Sequence, residues 1–169
     1  MAVRPIVKYG DPVLREVSKP VEEITTEVKQ LVADLKATLQ EAHGLGLSAV
    51  QIGVLLRVFI VDLSAIDITA DTKVFINPEI VENSGSTEYE EGCLSFPGIY
   101  QRLTRPERVK IKALDENGKE FTLEAEGIAA RAIQHENDHL DGVLFIDHFS
   151  SLSRALVDRK LKRLAKQSV

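Results

Sequence analysis

The sequence predicts an α+β fold built from antiparallel strands, with its helices set apart from them along the chain. Three observations carry this. Residues 25–42, 126–141 and 151–166 repeat apolar side chains at helical spacing, the strand-like runs cluster between them, and the two kinds do not alternate as a parallel βαβ fold requires. A Rossmann-type parallel topology is therefore disfavoured.

Taken in order, Asp11-Pro12 opens a short helical turn. Across residues 25–42, Ile24, Val28, Leu31, Leu35 and Leu39 recur every three or four positions, which lines one face of a helix that should end near His43-Gly44. Residues 55–63 (LLRVFIVDL) and 72–81 (TKVFINPEIV) are rich in β-branched and aromatic residues and read as strands, the second with a bend or an edge position at Asn77-Pro78. RVKIKAL at 108–114 alternates polar and apolar residues, Asp115-Glu116-Asn117-Gly118 supplies a turn, and KEFTLE at 119–124 resumes the alternation, a hairpin signature. Helical periodicity returns at 126–141, where Ile128, Ala132, His135 and His139 fall on one line and Gly142 suits the position just past the end. A last amphipathic helix at 151–166 carries Leu152, Leu156, Leu161 and Leu164. With no repeat or low-complexity linker, residues 1–169 read as one domain.

Composition excludes several classes. The 44 % hydrophobic and 28 % charged fractions are those of an ordinary globular protein. No run approaches the roughly 18 apolar residues of a membrane span, and residues 1–10 lack the apolar stretch of a signal peptide, so a cytoplasmic location is expected. The net charge of −5 argues against sequence-specific nucleic-acid binding, although residues 154–169 are basic, with six Lys and Arg against Asp158 alone. The single cysteine cannot form an internal disulfide, which leaves packing, a free thiol or metal ligation for Cys93.

His135-Glu136-Asn137-Asp138-His139 is an H-E-x-x-H segment. A four-residue step turns a helix by about 400°, so two imidazoles lie one turn apart on one face, about 6 Å apart at their bases and able to close on a single ion. Glu136 sits about 100° around the helix, outside direct ligation but within reach of water at the ion, where it can act as a base. A catalytic site of this kind needs a third protein ligand and an open fourth position, and His43, His148, Cys93 or a carboxylate can supply the third. Cys93 lies in Glu90-Glu91-Gly92-Cys93-Leu94-Ser95-Phe96-Pro97-Gly98, between a strand and a Pro-Gly turn; taken alone, this context suits ligation and packing equally. In GLGLSAVQ at 44–51, Gln51 is one amide among apolar neighbours, either structural or a donor to an oxyanion.

Together the segments 44–51, Glu91 to Ser95 and Gln134 to Gly142 resemble, in order, the G-x-G-L-A-A-x-Q, E-G-C-L-S and Q-H-E-x-D-H-L-x-G motifs of the peptide deformylases. Gly10 to Leu14 and Arg105 to Asp115 are also similar to that family, so the resemblance spans nearly the whole chain. Ser48 stands where the family usually has alanine, and a hydroxyl there alters local hydrogen bonding.

The resemblance implies antiparallel sheets packed around the H-E-x-x-H helix, followed by a C-terminal helix within 151–169. It implies Cys93, His135 and His139 as ligands of one Fe2+ ion, with Zn2+, Ni2+ or Co2+ able to substitute, and oxygen sensitivity if iron is native. The implied reaction removes the formyl group from the formylmethionine of new polypeptides. Glu136 transfers the proton, while Gln51 and the Leu94 N–H hold the oxyanion, the Leu94 role resting on the resemblance alone. Leu45, Gly46 and Ile128 are the expected methionine pocket. Arg105 and Asp138 either pair to orient a histidine or stand as surface residues, and the basic tail is either the solvated face of a terminal helix or a contact with the ribosome. Two other functions fit the helix motif: a zinc peptidase, and a non-catalytic metal-stabilised module closed by His43 or His148.

Overall fold

The computed structural model describes residues 2–65 and 71–167, which form three α-helices and seven strands. A five-stranded antiparallel sheet has the order β1-β2-β3-β6-β7, and β4 and β5 form a separate two-stranded hairpin. The strands are β1 (Gly46–Ser48), β2 (Val58–Asp62), β3 (Thr72–Ser84), β4 (Thr87–Cys93), β5 (Phe96–Arg105), β6 (Arg108–Leu114) and β7 (Glu120–Glu126); the helices are α1 (Thr26–Ala42), α2 (Gly127–Leu140) and α3 (Ser151–Gln167).

The β2 sequence explains the layering. Successive side chains of a strand face opposite sides, so Val58 and Ile60 join Leu31, Leu35 and Leu39 of α1, while Phe59 and Val61 join Ala130 and Ile133 of α2. A strand apolar on both faces thus sits between two helices. The hairpin covers the far side of α2, and a third cluster joins Phe96, Ile99 and Leu103 of β5 to Phe145 and to Val157, Leu161 and Leu164 of α3. Among the described residues, no helix is long and apolar enough to cross a membrane.

Helix ends follow local chemistry. The Thr25 side chain accepts from the Val28 N–H at the start of α1, and His43 takes a left-handed conformation at its end. Gly142, just past α2, has φ of 72°, and a Cβ there would come within 2.6 Å of the Arg15 carbonyl oxygen. Only glycine satisfies both conditions.

The differences from the sequence reading have identifiable causes. β3 is central rather than an edge, and the bend is real: Asn77 is left-handed, the register shifts between Ile76 and Glu79, and the Asn77 side chain bonds the Val21 N–H and C=O at 2.8 Å each. The hairpin strand after Cys93 is not stopped by Pro97-Gly98, because the register shift at Gly92/Cys93 absorbs these residues as an irregularity inside β5. In α3 the buried residues are Val157, Leu161 and Leu164, whereas Leu152 and Leu156 are 71 % and 67 % exposed: the third core reaches only the later turns of the helix. Residues 168 and 169 of the basic tail lie outside the described residues.

Candidate active site

Helix α2 places the His135 and His139 rings one turn apart, with centroids 5.1 Å from each other. The end of β4 brings Cys93 across from the hairpin, its Sγ 3.5 Å from His139 Nε2. One ligand atom from each of Cys93, His135 and His139 lies within 4.8 Å of the others. At Gly92, beside Cys93, a Cβ would meet the Tyr100 ring at 2.4 Å, so the bare backbone lets that ring lie across the strand.

Glu91, two positions before Cys93 on the same strand, orients the site. Its Oε1 accepts from His135 Nδ1 at 2.8 Å, and its Oε2 accepts from Arg105 Nε at 2.8 Å and Arg131 Nη1 at 3.1 Å. A proton on Nδ1 leaves Nε2 as the nitrogen available to an ion. Burial alone would raise the Glu91 carboxyl, but the hydrogen bonds and charges of His135 and Arg105 hold it down, at about 2. Burial likewise disfavours charge on His135, yet Cys93 and Glu91 raise its pKa well above the ordinary value. His139 moves the other way, through burial and the neighbouring charges of His135 and Arg105. His139 is thus held in the neutral form that metal ligation requires, while His135 favours its cationic form in the absence of an ion.

Glu136 is in the opposite condition to Glu91. Its Oε1 is buried with no hydrogen-bond partner among the described residues, and burial raises the carboxyl to about 7 against the opposing charge of His135. The carboxylate lies against β1, where a Cβ on Gly46 would come within 2.9 Å of Oε2. Gln51 approaches from the short helical turn after β1. Its Oε1 accepts from both the N–H and the hydroxyl of Ser48, at 3.0 Å each, and its Nε2 donates to Ser95 Oγ at 3.0 Å and faces Cys93 Sγ at 3.7 Å.

A cavity of about 370 Å³ opens beside these groups, lined by Leu45, Gly46, Gln51, Leu94, His135 and Glu136 among others. Ile128 stands at its mouth, 45 % exposed. All nine residues singled out from the sequence as ligands, catalytic groups or pocket residues therefore come together: eight line this cavity, and His139 lies behind it. The Arg105–Asp138 pair forms at 2.9 Å, but the carboxylate on the histidine is Glu91, with Asp138 one step further out. His148 donates to or accepts from Asp138 at 2.9 Å, and His43 lines the cavity without joining the ligand group. Among the described residues, the ligand group has three members, which disfavours the closed, four-ligand module. Sequence reasoning missed Glu91 and Arg131. The available signals were the two-residue step from Glu91 to Cys93 along a strand, and the four-residue step from Arg131 to His135 along a helix.

The family model described as polypeptide deformylase matches residues 3–155. The chain belongs to the polypeptide deformylase family. Deformylases are metal-dependent hydrolases that remove the N-formyl group from nascent polypeptides. The chain is 49 % identical to a peptide deformylase from Mesorhizobium japonicum over 98 % of this chain and 95 % of that one. It is 47 % identical to one from Neisseria gonorrhoeae over the full length of both. The crystal structure of a Legionella pneumophila peptide deformylase superposes with a TM-score of 0.90 at 42 % identity, covering 98 % of this chain and 97 % of that one. The deformylase from Thermus thermophilus gives 0.90 at 39 % identity, with coverage of 99 % and 100 %.

Proposed function

We propose that this chain hydrolyses the formamide of N-terminal formylmethionine on newly made polypeptides, with Cys93, His135 and His139 holding one divalent ion. The supporting observation is the convergence of one sulfur and two imidazole nitrogens beside Glu136, a buried carboxylate with an unpartnered oxygen. The donor set fits an ion: Glu91 holds the proton of His135 on the far nitrogen, and His139 favours its neutral form. A bound divalent ion supplies Lewis acidity, which makes water a stronger nucleophile and the formyl carbon a better electrophile.

Glu136 takes a proton from the attacking water and delivers it to the amine nitrogen as the C–N bond breaks, leaving formate and a free α-amine. Its place on the same helix as both imidazoles, lining the cavity beside them, suits both halves of that transfer. The Gln51 Nε2–H and the Leu94 N–H hold the charge that builds on the formyl oxygen. Leu45, Gly46 and Ile128 receive the methionine side chain.

One sulfur and two nitrogens accept iron, zinc, nickel or cobalt, and Fe2+ is the proposed resident ion. Residues 1–169 act as one catalytic domain in the cytoplasm, and the basic face of α3 touches the ribosome. The test loads the protein anaerobically with Fe2+ or Ni2+ and follows formyl-Met and acetyl-Met peptides by mass, scoring loss of the acyl group as formate or acetate against cleavage of internal peptide bonds. Formyl-specific turnover is expected; equal cleavage of both, or of internal peptide bonds, favours the peptidase. Cys93→Ala should lose the ion on metal analysis. Ribosome binding that survives Arg159→Glu, Lys160→Glu and Arg163→Glu together, all on the exposed face of α3, would remove the tail contact.

A further inference from the structure

We propose that the Ser48 hydroxyl is a positioning residue for deformylation, acting through Gln51. The inference rests on the reading of Gln51 as a donor to the formyl oxygen.

A primary amide has two acceptor lone pairs and two N–H donors. The Ser48 backbone N–H can only donate, so its 3.0 Å contact fixes which end of the Gln51 amide is oxygen. The Ser48 hydroxyl donates to the same oxygen at 3.0 Å and fills the second lone pair. On the nitrogen side, one N–H goes to Ser95 Oγ at 3.0 Å. The other faces the cavity and the ligand cluster, with only the weak acceptor Cys93 Sγ at 3.7 Å. Three of the four positions are thus held by strong partners, and the fourth points where charge develops on the substrate.

The hydroxyl adds something the backbone cannot. With one bond on Oε1, the amide can pivot about that contact; with two, turning the amide plane breaks both. Two donors on the oxygen also draw charge from the amide and strengthen its N–H groups as donors. Ser48 is fully buried, so its hydroxyl faces no solvent and has the Gln51 amide oxygen as its partner.

A double-mutant cycle on the metal-loaded enzyme tests this, comparing wild type, Ser48→Ala, Gln51→Ala and the double variant with a formyl-Met peptide. Ser48→Ala should lower kcat about 3- to 10-fold with KM changed by less than about 2-fold. In the Gln51→Ala background the same change should alter kcat by less than about 1.5-fold. Hydrogen exchange of the Gln51 side-chain amide should also quicken in Ser48→Ala. An unchanged kcat in Ser48→Ala, or an equal loss in both backgrounds, overturns the positioning role while leaving Gln51 as the donor. If Gln51→Ala itself keeps full kcat, the donor reading falls and the Ser48 role falls with it.

Discussion

Glu91 and Glu136 lie on opposite sides of His135 and are almost equally buried, 7 % and 5 % exposed, yet they behave as different chemical groups. Glu91, on the hairpin side, receives donors from His135, Arg105 and Arg131 and stays ionised down to about 2. Glu136, on the β1 side, has an oxygen without any donor and titrates near 7. Burial is the largest single influence on both and pushes both upward; the supply of hydrogen bonds and cations separates them. The saturated carboxylate is suited to holding geometry, and the starved one to moving a proton.

The sharpest way to break this contrast is Glu136→Gln. It should lower kcat by about 10³-fold or more while metal analysis still finds one ion per chain; retained turnover would remove the proton-transfer role.

The next effect is on stability of the chelator-treated protein, where the two carboxylates should have opposite pH slopes. Glu136 holds its proton more tightly folded than unfolded, so its contribution falls as pH rises from about 4.5 to about 7. Glu91 holds its proton less tightly folded, so its contribution is complete above about 4.5 and fades as pH falls toward about 2. Denaturant midpoints between pH 4 and 8 should therefore show Glu136→Gln gaining on the parent protein as pH rises, by up to about 3 kcal/mol. A parallel offset at all pH values would contradict the raised carboxyl.

Glu91→Gln leaves His135 with a neutral partner and should weaken Co2+ affinity about 10- to 100-fold in competition with a chelator. Its loss should exceed that of Glu136→Gln, whose side chain is not a holder of geometry. Smaller again is Arg131→Lys, which keeps the charge but not the reach to Glu91 Oε2, Leu103 O and Thr87 O together. A few-fold loss of Co2+ affinity is expected, with kcat of the saturated enzyme nearly unchanged.

Much of this was legible in the chain itself, for reasons that differ by element. The helices and the β6–β7 hairpin declare themselves by periodicity, and two candidate ligands by a spacing that equals a helical turn. β1 is three residues long, with a glycine where Glu136 needs room, so it reads as a loop. β5 hides its strand character behind Pro97 and Gly98. Leu152 and Leu156 continue the apolar stripe of α3 but extend past the core that would cover them. Around the cluster, Glu91 was open to inference by its alternation with Cys93. The Ser48–Gln51–Ser95 chain was not, because nothing in residue order says that positions 51 and 95 meet.

The distance in sequence between Cys93 and α2 has a bearing on how the molecule matures. A helix can form early and present both imidazoles, but the sulfur arrives only when the hairpin has docked and its glutamate has met two arginines. Complete capture of an ion then reports that the hairpin is docked. A thiolate-to-cobalt absorption band followed during refolding would time that arrival directly.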